Sequence, residues 1–310
     1  QYFTALGPRP STAVVDAVFI PVYNEEAPKF LNTLRSLLFA TPPSGADRIE
    51  ALLVVDGIQQ VPPCMRALLA AMFGVEWRRH EEDPTILQTT LYSAKQTFTD
   101  AEVAELEELV GPEILQRMAE RPDFRVTLLV KKCNLRKFNG HEWFMMAFMR
   151  ELDCRYVLLT DVATVFHKDF LHKLASYLDK HAEVSAVCGR QRIMAAEIQD
   201  HEKLGSVESC KASMLRWIQC YEFEADAAIA KRLWSSLGFL PVIPGPGGMY
   251  RAEDLRDGRA QAYFDTVNKA PEQCSLAEHL EKVRTQLNPA AQSLSLYTCA
   301  CATTSSLAVF

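Results

Sequence analysis

Residues 14–57, VVDAVFIPVYNEEAPKFLNTLRSLLFATPPSGADRIEALLVVDG, decide the fold. They open with a β-branched run, residues 14–22, that ends in the polar turn Tyr23-Asn24-Glu25-Glu26. Residues 28–39 have helical spacing, residues 51–55 form a second short apolar run, and Asp56-Gly57 stops it. Strand, helix and strand with polar stops read as a βαβ unit built around a mostly parallel sheet. The rhythm continues with strands expected at 125–130, 156–160 and 184–188, and helices at 142–151 and 168–181. The fold class is therefore α/β: a mixed, mostly parallel sheet flanked by helices.

Three stretches depart from that rhythm. Residues 80–122 are polar and acidic, with a capping-box pattern at Thr99 and Glu102 and a break near Gly111-Pro112. They read as a helical insertion on the outside of the sheet. Residues 203–236 form a long helical region rich in Ala, Trp and Glu, whose Trp217 and Trp234 are assigned to core packing rather than sugar stacking. The stretch PVIPGPGGM at 241–249 is too dense in Pro and Gly for a regular element and reads as a shaped loop. One domain is expected over 1–310, with 252–310 weakly patterned.

Composition narrows the function classes. A chain of 310 residues with 48% hydrophobic and 23% charged residues can bury a sizeable core. Its net charge of −6 argues against a general nucleic-acid binder but leaves a small anionic substrate open. No uninterrupted apolar run is long enough to span a bilayer, and no basic-then-apolar leader opens the chain. Nine cysteines, odd in number and mostly within apolar or helical runs, suit a reducing compartment. Cys299 and Cys301 lack the companions of a zinc site.

Open α/β sheets place ligands at the carboxyl ends of their strands. Three such ends carry chemistry. At Tyr23-Asn24-Glu25 an aromatic face lies beside amide and carboxylate groups that can stack on a base and accept its N–H, although acidic residues also suit a helix start. Asp56 can bind a base or ribose hydroxyl, or simply belong to an Asp-Gly turn. Asp161 ends an apolar strand, where a carboxylate is costly unless paired or bound to a cation. It can serve as a metal ligand for a diphosphate, or as a helix cap.

In order and spacing these three ends resemble family-2 inverting glycosyltransferases with a GT-A (Rossmann-like) fold. Further segments narrow the resemblance to chitin synthases. Residues 131–144, KKCNLRKFNGHEWF, are similar to that family's K-x-K-N-x-x-K-x-N-S-H-x-W-F stretch. Residues 219–223, QCYEF, are similar to Q-x-F-E-Y, residues 187–190 to C-G-R, and residues 244–251 to P-G-x-x-x-x-Y-R. The resemblance implies a donor site for UDP-GlcNAc at Tyr23, Asn24, Glu25, Asp56, Lys131, Lys137, Asn139, His141 and Asp161. Asp161 would hold Mg2+ or Mn2+, and Lys131, Lys137 and His141 would neutralise the leaving diphosphate. Gln219, Glu222, Pro244 and Gly245 would meet the acceptor, a chitin oligomer extended at its non-reducing end. A membrane or multi-subunit assembly partner, and a place at the cytosolic face of a membrane, are implied as well.

Two positions break the pattern. Ala163 stands where many relatives have the second carboxylate of D-x-D, although one branch reads D-V-G-T, close to Asp161-Val162-Ala163-Thr164. The family's G/A-E-D-R motif, whose Asp is the general base, is met by Ala277-Glu278-His279-Leu280. Glu278 and His279 are thus the candidate catalytic residues, since a His can take a proton near neutral pH. The Q-R-R-R-W segment and export helices of the family are not found in the sequence. These departures keep a second reading in view, a catalytically impaired structural or regulatory subunit.

Overall fold

The structure is a computed structural model that describes residues 13–82, 89–93, 99–134, 136–192, 206–238, 240, 243 and 245–256. Its frame is a seven-stranded sheet of order β3-β4-β2-β1-β5-β7-β6. The strands are β1 (Val15–Val22), β2 (Arg48–Asp56), β3 (Thr89–Ser93), β4 (Phe124–Lys131), β5 (Tyr156–Leu159), β6 (Ala186–Cys188) and β7 (Gly248–Arg251). β4, β2, β1 and β5 run parallel, while β3 and β7 are antiparallel to their neighbours.

β1 shows how the sequence fixes both faces. Val15, Ala17 and Phe19 enter one core, and Val18, Ile20 and Val22 the other, as the two-residue period of a strand requires. β2 is buried over all nine residues, the pattern of a central parallel strand covered on both sides. One face is covered by α1 (Ala27–Leu38), α2 (Pro63–Phe73), α4 (Asp100–Val110), α5 (Pro112–Glu120) and α8 (Phe170–Lys180). α1 starts with Pro28 in its first turn and buries Phe30, Leu34, Leu37 and Leu38, one helical stripe. The other face is covered by α6 (Arg136–Trp143), a π-helical turn Phe144–Phe148, α7 (Met149–Leu152) and α11 (Ala252–Arg256).

Three expectations are corrected. The stretch 80–122 is not wholly helical: after the short α3 (Trp77–Glu82), β3 pairs antiparallel with β4 at the sheet edge. Leu106, Val110 and Ile114 of this stretch are buried in the core that covers one face of the sheet. The end of the Pro-Gly loop is a strand, with Gly248 and Met249 inserted between β5 and β6. Gly248 earns that place by being small: an added Cβ would stand 2.6 Å from Ile243 Cγ2. The long helical region comprises α9 (Ser206–Ala225), a π-helical turn Asp226–Lys231 and α10 (Arg232–Ser236). Its Trp217 is 73% exposed and Trp234 37% exposed, so neither is a core residue. Cys154 and Cys188 are buried as small apolar residues, whereas Cys64 and Cys133 are exposed. No helix among the described residues is long and apolar enough to cross a membrane.

Gly189, just past β6, donates its N–H to Gly247 O at 3.3 Å. A Cβ there would lie 2.1 Å from the buried Phe170 ring. Gly189→Ala should therefore destabilise the domain by about 1–3 kcal/mol, the usual cost of overpacking. Urea unfolding monitored by tryptophan fluorescence checks this, and an unchanged midpoint would contradict the packing described.

Candidate functional site

Parallel pairing sets Asp56 at the end of β2 opposite Lys131 at the end of β4. Both side chains are buried, 7% and 1% exposed, and Lys131 Nζ lies 2.7 Å from Asp56 Oδ1. Nζ also donates to Asn139 Oδ1 at 3.1 Å, and Asn139 Nδ2 donates to Glu142 Oε2 at 3.2 Å. The register of two strands and the first turns of α6 are thus locked by one polar chain. Burial pulls the Lys131 pKa below its ordinary value, with Asp56 opposing that pull. Gly57 follows at φ +91°, and an added Cβ would come within 2.8 Å of the Asn134 backbone nitrogen. The turns after β2 and β4 therefore touch through a position only glycine fits.

Beside this pair the end of β1 turns outward. Tyr23 is 38% exposed, Asn24 is exposed, and the Tyr23 N–H donates to Glu25 Oε2 at 2.7 Å. Glu25 thus holds the turn, leaving the Tyr23 ring open to solvent.

Past β5 the chain places a second cluster. Lys137 Nζ, on α6, contacts Asp161 Oδ1 as an ion pair, with side chains 47% and 38% exposed. Gly245 closes over them: a Cβ there would lie 3.9 Å from both Asp161 Oδ2 and Lys137 Nζ. The loop is anchored by the Gly247 N–H donating to Leu159 O at 2.9 Å and by Gln191 Nε2 donating to Pro246 O at 2.6 Å. His141, one turn along α6 from Lys137, packs on Phe19 with ring centroids 4.6 Å apart. Desolvation, aided by Lys137 and opposed by Asp161, lowers its pKa to about 4. Near neutral pH it is a neutral imidazole beside a cation and a carboxylate.

Ala163 sits in the left-handed region at φ +72°. That conformation costs an L-residue roughly 1 kcal/mol and costs Gly nothing. The D-V-A-T turn thus takes the shape that a D-V-G-T sequence adopts without strain.

The donor set suits a metal whose remaining ligands come from outside the protein. Among the described residues no group of three His, Cys, Asp or Glu side chains is placed to hold a metal alone. One exposed carboxylate at a strand end fits Mg2+ or Mn2+ bound mainly by phosphate oxygens and water.

Tyr23, Asn24, Glu25, Asp56, Lys131, Lys137, Asn139, His141, Asp161 and Gly245 thus come to the carboxyl edge of β1, β2, β4 and β5 or to the turns beside it. Gln219 and Glu222 are exposed on α9. The carboxylate of that helix that reaches the sheet is Glu224, which pairs with Arg190 and, at 3.3 Å, with Arg192 beyond β6. Sequence reading passed over Glu224, and its place two residues after Glu222 was the only signal. Pro244, Glu278 and His279 lie outside the described residues.

Two outcomes follow from this electrostatics. Asp56→Asn strands a buried ammonium and should cost about 3–5 kcal/mol, whereas Asp56→Asn with Lys131→Met should recover much of the loss. Chemical denaturation checks it, and a loss in the double variant as large as in the single would overturn it. For His141 the folded pKa of about 4 lies below the ordinary 6.5, so the unfolded chain binds more protons between those values. Stability is full above about pH 6.5 and falls as pH drops towards 4. His141→Gln should flatten that decline, and an unchanged pH profile would contradict it.

Residues 17–282 match the chitin synthase-like glycosyltransferase domain family. Chitin synthase 1 of Gibberella zeae is 25% identical over 268 residues, covering 80% of this chain and 28% of that protein. Chitin synthase 1 of Phytophthora sojae is 25% identical over 142 residues, 45% of this chain and 14% of that protein. The chain therefore spans less than a third of the length of these relatives. Among solved structures, a mannosyltransferase of Pyrobaculum calidifontis in complex with GDP-Man and Mn2+ is 16% identical. It covers 83% of this chain and 54% of its own at a TM-score of 0.37, an overlap too slight to bear on the site. With the family match over most of its length, the chain belongs to the chitin synthase-like glycosyltransferase domain family, and its mixed α/β sheet is the GT-A frame which that family's resemblance implied.

Proposed function

We propose that this domain binds UDP-GlcNAc along the carboxyl edge of its sheet and transfers N-acetylglucosamine to the non-reducing end of a β-1,4 chain. The observation that carries the reading is the convergence of Lys137, His141, Asp161 and Gly245 beside the buried Asp56–Lys131 pair. Tyr23 offers an exposed ring for the base, and Asn24, Glu25 and Asp56 supply polar partners for the uridine. Lys131, already held by Asp56, contributes by fixing that carboxylate and adding positive potential from below.

In inverting transfer an acceptor hydroxyl attacks the anomeric carbon while the bond from that carbon to the diphosphate breaks. Charge then grows on the diphosphate, where Lys137 can hydrogen-bond it. Asp161 would hold Mg2+ or Mn2+, which when bound adds charge neutralisation at the same leaving group. Neutral His141 can donate one hydrogen bond there without adding charge. Gly245, with no side chain, allows the sugar to approach the backbone, with Pro244, Gln219 and Glu222 towards the acceptor side. The hydroxyl proton passes to a base, for which Glu278 and His279 are the candidates. The implied setting is the cytosolic face of a membrane, within a longer protein or an assembly that supplies the export path.

A second reading is favoured by one observation: Ala163 leaves Asp161 the sole carboxylate of its turn, and that carboxylate is occupied by Lys137. On this reading the domain keeps the fold as a structural or regulatory subunit with impaired catalysis.

Calorimetric titration with UDP-GlcNAc, with and without Mg2+, tests the donor site. Binding that strengthens with Mg2+, and loses that gain in Asp161→Asn, is expected. No heat at millimolar nucleotide sugar would sink the enzyme reading. Product formed by the wild type but not by His279→Ala would then identify the base.

A further inference from the structure

Two cations compete for Asp161. Its Oδ1 is engaged by the Lys137 ammonium, yet the same carboxylate is the ligand the donor reading gives to the metal of a nucleotide diphosphate, and among the described residues no group of three ligating side chains offers an alternative. Lys137 stands on the first turns of α6, with about half of its side chain exposed, so its four-carbon stem can swing without disturbing the core. Among the described residues the hydrogen bond made by Nζ is the one to Asp161. Gly245 faces the two side chains without a side chain of its own, and even a Cβ there would only touch them, at 3.9 Å from each.

Resting on the donor reading above, we propose that Lys137 is a displaceable cation that fills the Asp161 metal position until a nucleotide diphosphate draws it away. A diphosphate offers Nζ a better partner than one exposed carboxylate, because it carries more charge and more acceptor oxygens. Once Lys137 turns to the diphosphate, Asp161 is released to a divalent cation that the same diphosphate brings. Nucleotide and metal then bind together more tightly than apart, and neither is held strongly alone. This is a coupling of two ligands through one side chain with two discrete partners. It also rationalises a single-carboxylate site: the lysine shields Asp161 when no donor is present and joins the diphosphate when one is.

A lysine that stays fixed and one that switches give different results. A fixed charge alters the affinity for each ligand but leaves the coupling between them unchanged, whereas a switching one contributes to the coupling. The test compares wild type with Lys137→Gln, whose exposed position makes folding safe and whose fold is checked by circular dichroism. Free Mn2+ is counted by electron paramagnetic resonance during titration of each protein, with and without saturating UDP. Loss of a partly exposed ion partner should tighten Mn2+ binding alone by about two- to five-fold in Lys137→Gln. The enhancement of Mn2+ binding by UDP should shrink by a similar factor, and adding Asp161→Asn should erase the gain. Unchanged Mn2+ binding in the variant overturns the proposal, and so does a gain with undiminished enhancement. If wild type binds no UDP, the donor reading and the coupling fail together. The Mn2+-alone gain then still reports whether Lys137 shields Asp161, so the two failures are told apart.

Discussion

The buried ion pair between Asp56 and Lys131 is the constraint on which the rest of the edge depends. Two charges taken out of water are tolerated only when their geometry is good and their remaining hydrogen-bonding capacity is met. Here parallel strand register sets the two groups face to face, and Asn139 and Glu142 extend the pair onto α6. A one-residue slip of β4 against β2 would turn Lys131 to the opposite face and leave Asp56 buried without a counter-charge. The pair therefore holds the register of the central strands and the start of α6 to each other. α6 in turn carries Lys137 and His141 to Asp161 at the end of β5.

This arrangement divides the basic stretch 131–144 by depth. Lys131 lies beneath the edge as a fixed charge, while Lys137 stands above it, half exposed and paired with the carboxylate nearest the open face. His141 lies between them in burial and is kept neutral by desolvation first and by Lys137 second. Positive potential thus reaches the edge from two depths.

Most of the frame was legible in the sequence because a central parallel strand must be apolar on both sides. The runs at 14–22, 51–55, 125–130 and 156–160 carry that signature and became β1, β2, β4 and β5. β3 was missed because Thr89–Ser93 is an edge strand in a polar segment, and its pairing with β4 is a tertiary fact. β7 was missed because Gly248 reads as a loop residue, whereas it is the smallness of Gly248 beside Ile243 that lets the strand insert. Trp217 read as core from its type, but α9 turns that face to solvent. At the site, spacing pointed to the right edge residues and not to their partners. Nothing local says that Lys131 pairs with Asp56, seventy-five positions earlier, while Lys137 pairs with Asp161, because strand order decides both.

The central claim is that the carboxyl edge between the Tyr23 turn and Asp161 is a nucleotide-diphosphate site whose upper lysine changes partner. A crystal structure with UDP and Mn2+ bound tests it most directly. The account predicts the base near Tyr23 and Asp56, Lys137 turned to the diphosphate, Asp161 on the metal, and the Asp56–Lys131 pair unmoved. Nucleotide bound elsewhere on the domain, or bound at this edge with Lys137 still on Asp161, would contradict it.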